Sequence, residues 1–275
     1  MVYLLRVTTI SRAALAFVLL CPLVAVACRT YGSEPPATLP DGGDVPSDSG
    51  LLDRPASDSS GRFCEKQTNA VYCADFDGPD FGFGWELRGE ELGSLTRVAS
   101  TRSLPFALRA GLLPPAGPFD AGARGNVYLL HSLGQGFPGI AVDVDIDADG
   151  IAATSGDTLV TTATVAFSIE PPAFVSLGFS GEKRGVLVVA READAGGVTA
   201  FEFQRPTKGF VHYRLETDFE GGTASLFADG TLVVRPAPAL RSEKNQVPFV
   251  TVGAGADPIG TASVVYDNYV VTKLP

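Results

Sequence analysis

Through residues 211–235 the chain sets apolar and polar side chains by turns. Val211, Tyr213, Leu215, Thr217 and Phe219 alternate with His212, Arg214, Glu216, Asp218 and Glu220. A period of two is the mark of a half-buried strand, with one set of side chains on each face of its sheet. Glu220-Gly221-Gly222 then reverses the chain, since glycine takes positive φ without steric cost. The return over residues 223–227 ends in Ala228-Asp229-Gly230, a second reversal ahead of residues 231–234. The pattern predicts long antiparallel strands joined by tight turns.

The same period recurs elsewhere. In residues 140–147, IAVDVDID, the pattern puts Ile140, Val142, Val144 and Ile146 inward and Asp143, Asp145 and Asp147 outward, where with Asp149 they could recruit cations but read first as a solvated acidic row. Further strands are predicted over residues 71–77, 92–99, 104–110, 127–133, 158–169, 174–179, 186–191, 198–204, 249–253 and 262–272. Residues 111–125 are too rich in Pro and Gly for regular structure and read as a loop. About a dozen strands at roughly 8–12-residue spacing fit an all-β, two-sheet antiparallel jelly roll. Helical periodicity is almost absent, so no helical layer is expected.

The first 62 residues break the pattern. Arg6 and Arg12 precede an apolar run over residues 13–27, 15 residues long, too short for a spanning helix of about 20 and suited to a signal peptide. Residues 28–62 are dominated by Pro, Ser, Asp and Gly; such a segment buries too little apolar surface to offset chain entropy and reads as a disordered tether. A single globular domain is expected over residues 63–275, about 200 residues, enough to bury roughly 70% of the unfolded chain's surface.

Composition narrows the function. The formal charge of −10 argues against nucleic acid, which needs clustered Lys and Arg. A single Met and a single Trp exclude methionine-rich grooves and tryptophan cages. With Cys21 in the leader, Cys64 and Cys73 form the one pair left within the domain of an exported chain, which suggests a disulfide contributing roughly 2–3 kcal/mol through its short loop. A zinc site from that pair is not expected, because His131 and His212 lie far away in sequence.

Four segments carry a resemblance. Val-Ala-Val-Ala before Cys28 resembles a bacterial lipobox, which implies cleavage ahead of Cys28, its lipidation, and, with Arg29 rather than Asp next, an outer-membrane address; Ala25 stands where Leu is usual, and an ordinary signal-peptidase cut is the alternative. The stretch from Tyr213 through Gly221-Gly222 to Leu226-Phe227-Ala228-Asp229-Gly230 resembles the strand pair of laminin-G-like domains, in the concanavalin A-like lectin/glucanase superfamily. VYCADFDG at residues 71–78 with Trp85, and VVYDNYVV at residues 264–271, resemble that family's first and last strands. The resemblance implies that these two strands lie together, and that a structural calcium ion can sit where they meet, held by Asp75, Asp77 and Asp267, with Asp80 and Asn268 nearby.

Glu216-x-Asp218-x-Glu220 resembles the catalytic motif of laminarinase- and lichenase-type β-glucanases, which implies Glu216 as nucleophile, Glu220 as acid/base and Asp218 between them. Retaining hydrolysis needs carboxyls about 5–5.5 Å apart, while residues i and i+4 of a regular strand are about 13 Å apart. The alternative is a solvated strand face ahead of a Gly-Gly turn. Neither His131 nor His212 falls in a Ser/His/Asp order, and no Gly-rich phosphate loop opens a helix. Three readings follow. The favoured one is a lipid-anchored module binding a glycan or surface protein through loops such as residues 111–125 and 183–185, or through a sheet face. The others are a polysaccharide-cleaving enzyme and an envelope protein without a specific ligand. The sequence does not specify the oligomeric state.

Overall fold

A computed structural model describes residues 63–275, save 79, 83, 114–124, 152–158, 169–172, 182, 192–196, 207–208, 242–245 and 257–260. The expected leader, Cys28 and the expected tether over residues 28–62 lie outside the described residues. After a 3₁₀ turn, Phe63–Lys66, come β1 Ala70–Ala74, β2 Leu87–Glu91, β3 Gly93–Ala99, β4 Phe106–Leu112, β5 Gly125–Ser132, β6 Gly139–Asp147, β7 Val160–Ser168 and β8 Ala173–Ser180. There follow β9 Arg184–Ala190, β10 Val198–Gln204, β11 Phe210–Asp218, β12 Thr223–Ala228, β13 Thr231–Pro238, β14 Phe249–Ala256 and β15 Ala262–Lys273.

The strands form two antiparallel sheets, a jelly-roll sandwich. One runs β13-β12-β11-β6-β15-β4-β3, with β1 also paired to β15; the other runs β10-β9-β8-β7-β14-β5-β2. The alternation along β11 holds through Phe219: Val211, Tyr213, Leu215, Thr217 and Phe219 are buried. Ile140, Val142, Val144 and Ile146 of β6 join Tyr213, Leu215 and Leu226 in a core shared with Val175, Leu177 and Phe179 of β8 and Leu187 and Val189 of β9. First and last strands meet as expected, Cys73 opposite Val270 and Ala74 opposite Tyr269. The Cys64–Cys73 disulfide fastens the entering chain to β1 beside that junction.

Several elements depart from the sequence reading. β2, LRGEE, has no apolar alternation; it pairs along β5 at the edge of its sheet, where charged residues are at home. β4 continues through Gly111 and Leu112 and β5 begins at Gly125, so the predicted loop loses both its ends to strands, while its middle lies outside the described residues. β13 runs on to Pro238, and its two prolines are tolerated because it is an edge strand. β14 extends to Ala256 past a register shift against β7.

That shift turns on Gly253. Its φ is 155°, and a Cβ there would stand 2.0 Å from the Val127 carbonyl oxygen and 2.6 Å from the Tyr128 Cα. Tyr266 reaches from β15 through the core to donate its hydroxyl to the Gly253 carbonyl, so the bulge also locks one sheet to the other. Gly111, by contrast, has nothing nearer than 3.9 Å to a built Cβ. We expect Gly253→Ala to cost at least about 2 kcal/mol in denaturant unfolding, and Gly111→Ala to stay within about 0.5 kcal/mol of the parent.

Candidate functional site

On the outer face of the eight-stranded sheet the acidic row is exposed at Asp149 but not solvated at Asp143 and Asp145. Register puts His212 of β11 opposite Asp145 of β6, Asp145 opposite Asp267 of β15, and Arg214 opposite Asp143. Asp145 and Asp267 are buried. The charges are there because they are partnered, as buried carboxylates must be. His212 lies between two of them, Nδ1 at 3.1 Å from Asp145 Oδ1 and Nε2 at 3.2 Å from Asp143 Oδ1. A carboxylate opposite each ring nitrogen makes both N–H donors, so the ring is an imidazolium. Arg214 donates to Asp143 at 2.6 Å and to Glu216 at 2.8 Å.

Residues 100–105 are tied to this face from beyond the sheet. Arg102 donates to both Asp145 oxygens, at 3.2 and 3.4 Å, and Asn268 Nδ2 donates to Asp145 at 2.8 Å. Asp267 accepts from the Ser100 hydroxyl, from the Ser103 hydroxyl and amide, and from the Asn268 amide. Asn268 has φ 50° and sits in a register shift of β15 against β6; asparagine tolerates that left-handed conformation better than most residues. Burial acts to raise the Asp145 pKa, yet hydrogen bonds from His212, Asn268 and Arg102 hold it below the ordinary carboxylate value. Burial pushes Asp267 above its ordinary value despite the Ser100 and Ser103 donors.

The structure separates the proposed catalytic acids by role. Glu216 belongs to the charged row, Asp218 caps the following turn by accepting the Gly221 amide at 2.7 Å, and Glu220 lies exposed in that turn beyond the strand. Asp75 accepts the Asp77 amide and Asp77 the Phe106 amide, which ties the exit of β1 to the start of β4. Among the described residues no three His, Cys, Asp or Glu side chains are grouped to hold a metal ion. The donors on Asp267 already engage the oxygens that calcium would take from it.

A second cluster joins Trp85 to residues that no local sequence pattern brings beside it. Tyr72 of β1 stacks on His131 of β5, ring centroids 3.9 Å apart, and Trp85 stands edge-on to Tyr72 at 5.0 Å and tilted against Tyr269 of β15 at 5.4 Å. His131 Nδ1 lies 2.9 Å from the Gly84 carbonyl, an acceptor, so Nδ1 carries the proton. At the rim Glu86 accepts the Ser132 amide at 3.0 Å and hydroxyl at 2.7 Å, which lowers its pKa. Tyr72, Trp85 and His131 are half-buried and Tyr269 is fully buried. Tyr72 Oη, Trp85 Nε1 and Tyr269 Oη are enclosed and have no partner among the described residues. The legible hint was the lone Trp85 beside two segments expected to pair.

No family model and no curated protein matches the sequence. Among solved structures the chain is similar to the cellulose-induced protein Cip1, with 14% identity and a TM-score of 0.52 over 74% of this chain and 97% of that one. It is also similar to a carbohydrate esterase of Shiga toxin-encoding bacteriophage phi24B (11%, TM-score 0.49, 75% and 99% covered) and to alginate lyase vAL-1 from Chlorella virus (7%, 0.47, 75% and 100%). At such identities the likeness is one of fold, the jelly-roll β-sandwich.

Hydrogen bonds to Asp143 and then Asp145 raise the His212 pKa from 6.5 to about 9. A histidine raised on folding stabilises fully below its unfolded pKa, and that stability is lost as pH rises through the folded value. With the side chain 37% exposed, solvent screening leaves about 1–2 kcal/mol. We expect unfolding free energy to fall by that amount between pH 6.5 and 9, and the slope to vanish in His212→Gln, as read from denaturant midpoints across pH.

Proposed function

We propose that this sandwich is a carbohydrate-binding module of a bacterial cell envelope, with its sugar contacts at Tyr72, Trp85 and His131. One observation carries the reading. The half-buried rings of Tyr72, Trp85 and His131 stand together in one aromatic cluster, Tyr72 stacked on His131 and Trp85 edge-on to Tyr72. Aromatic walls with a few placed polar groups are the usual make-up of a ligand site. The apolar face of a sugar ring is a surface that such aromatic rings can pack on.

The setting suits such a role. β1, β5 and β15 hold the cluster on three strands of both sheets, and the Cys64–Cys73 bridge steadies the segment beside Tyr72. Rigid placement lowers the entropy lost on binding. Acyl chains on Cys28 would anchor the chain to the outer membrane, and residues 28–62 would let the module range by roughly 30 Å.

Trp85 is the only tryptophan in the chain, so its fluorescence reports on this cluster alone. We expect saturable changes in its emission with at least one member of a polysaccharide panel, and at least a tenfold loss of affinity in Tyr72→Ala with the melting transition retained. If no polysaccharide alters the emission or binds by calorimetry, the reading fails. Release of reducing sugar in the same assay, abolished in Glu216→Gln, would assign cleavage instead.

A further inference from the structure

The charged row on the outer face of the eight-stranded sheet is layered. Asp145 and Asp143 lie beneath, their side chains 5% and 16% exposed; Arg102, His212 and Arg214 lie above, at 45%, 37% and 35%. We propose that this face is a second ligand site, built on Arg102, His212 and Arg214, for the carboxylate groups of an acidic polysaccharide. It is independent of the aromatic cluster.

Three features support it. The cations are pre-set: the contacts running Arg102, Asp145, His212, Asp143, Arg214 and Glu216 measure 2.6 to 3.4 Å. Side chains held from below lose little freedom when a ligand arrives from above. Donors also remain: the bonds described use Nε and Nη2 of Arg102 and Nε and Nη1 of Arg214, which leaves Arg102 Nη1 and Arg214 Nη2 with no partner among the described residues. A guanidinium edge takes a planar carboxylate better than it takes a neutral hydroxyl. The cations are also close together: His212 and Arg214 stand two residues apart on one strand face, about 7 Å, and Arg102 is held to Asp145, opposite His212 on the neighbouring strand.

Charge decides between polyanions. The acids in the row, Asp143, Asp145 and Glu216, match its three cations, and Asp229 sits close by, accepting the His212 amide. With a formal charge of −10 on the whole chain, densely charged polymers such as nucleic acid are repelled at long range. A polymer with one carboxylate per sugar carries fewer charges per length than duplex nucleic acid, at about 1.7 Å per charge, and is repelled less; each carboxylate that docks meets a cation with its own counter-charge on the far side.

The test is calorimetry of the full chain with oligogalacturonate and with its methyl ester, which keeps the backbone and removes the charge. We expect the acid to bind at least tenfold tighter than the ester, without a change in Trp85 emission, and to lose at least tenfold in Arg214→Gln. Because the acid–ester comparison uses the unaltered protein, it stands even where the variant melts early. Equal affinity for acid and ester overturns the proposal, as does the absence of binding to oligogalacturonate, alginate and hyaluronan. Poly-glutamate binding as tightly as the sugars also overturns it and assigns an acidic protein partner. Loss of the Trp85 response with retained acid discrimination refutes the aromatic site alone.

Discussion

Two sheets that must each hide one face set the terms for every other feature. Their inner faces supply the core, and inter-sheet contact fixes the register of each strand, since a slip of one residue would turn a whole apolar set outward. β11 shows the constraint at its clearest. Val211, Tyr213, Leu215 and Thr217 are buried, and His212, Arg214 and Glu216 are thereby committed to the other face. The placement of the charged side chains follows from the packing of the apolar ones. The same constraint brings Asp145 between His212 and Asp267, three neighbours drawn from strands far apart in sequence.

What the alternation cannot show is what lies above an outward face. The pattern in residues 140–147 marks Asp143 and Asp145 as pointing away from the core, and they do. That they are covered depends on residues 100–105 and on Arg214, which no local period reveals. The aromatic cluster escaped for a similar reason. Tyr72, Trp85, His131 and Tyr269 come from four places in the chain, each unremarkable within its own segment, and only the pairing of β1 with β15 and of β2 with β5 assembles them. β2 stayed hidden because an edge strand needs no apolar face of its own. Legibility was highest where strand period and turn chemistry agreed, as through Gly221-Gly222 and Asp229-Gly230, the latter pair with φ of 46° and 74°.

The buried carboxylates ask for an energetic account. Taking Asp145 and Asp267 out of water costs several kcal/mol each unless hydrogen bonds return it. Asp145 is repaid by two cations and an amide; Asp267 has only hydroxyl and amide donors, which is why burial prevails and its pKa rises. The contrast divides the row by role. Asp267 is a fastener for residues 100–105, working through neutral hydrogen bonds close to a strand bulge. Asp145 holds its charge and organises cations around it.

That division bears on why such a row is kept. Packed apolar side chains of similar volume commonly serve stability as well as a buried ion pair does, and the opposite face of this same sheet is built that way. On this face the upper side chains are a third or more exposed and stay polar; what the carboxylates beneath add to their share of stability is placement. A guanidinium on a bare surface samples many rotamers, whereas one held by a carboxylate underneath presents the same donors continually. The acids beneath give up solvation to fix the cations above, an arrangement that makes sense when something outside the chain must find those cations in one position. The aromatic cluster follows the same logic with ring faces, held by packing instead of by charge. One sandwich thus fixes charged donors and aromatic rings alike, each set by strands whose first task is to close the core.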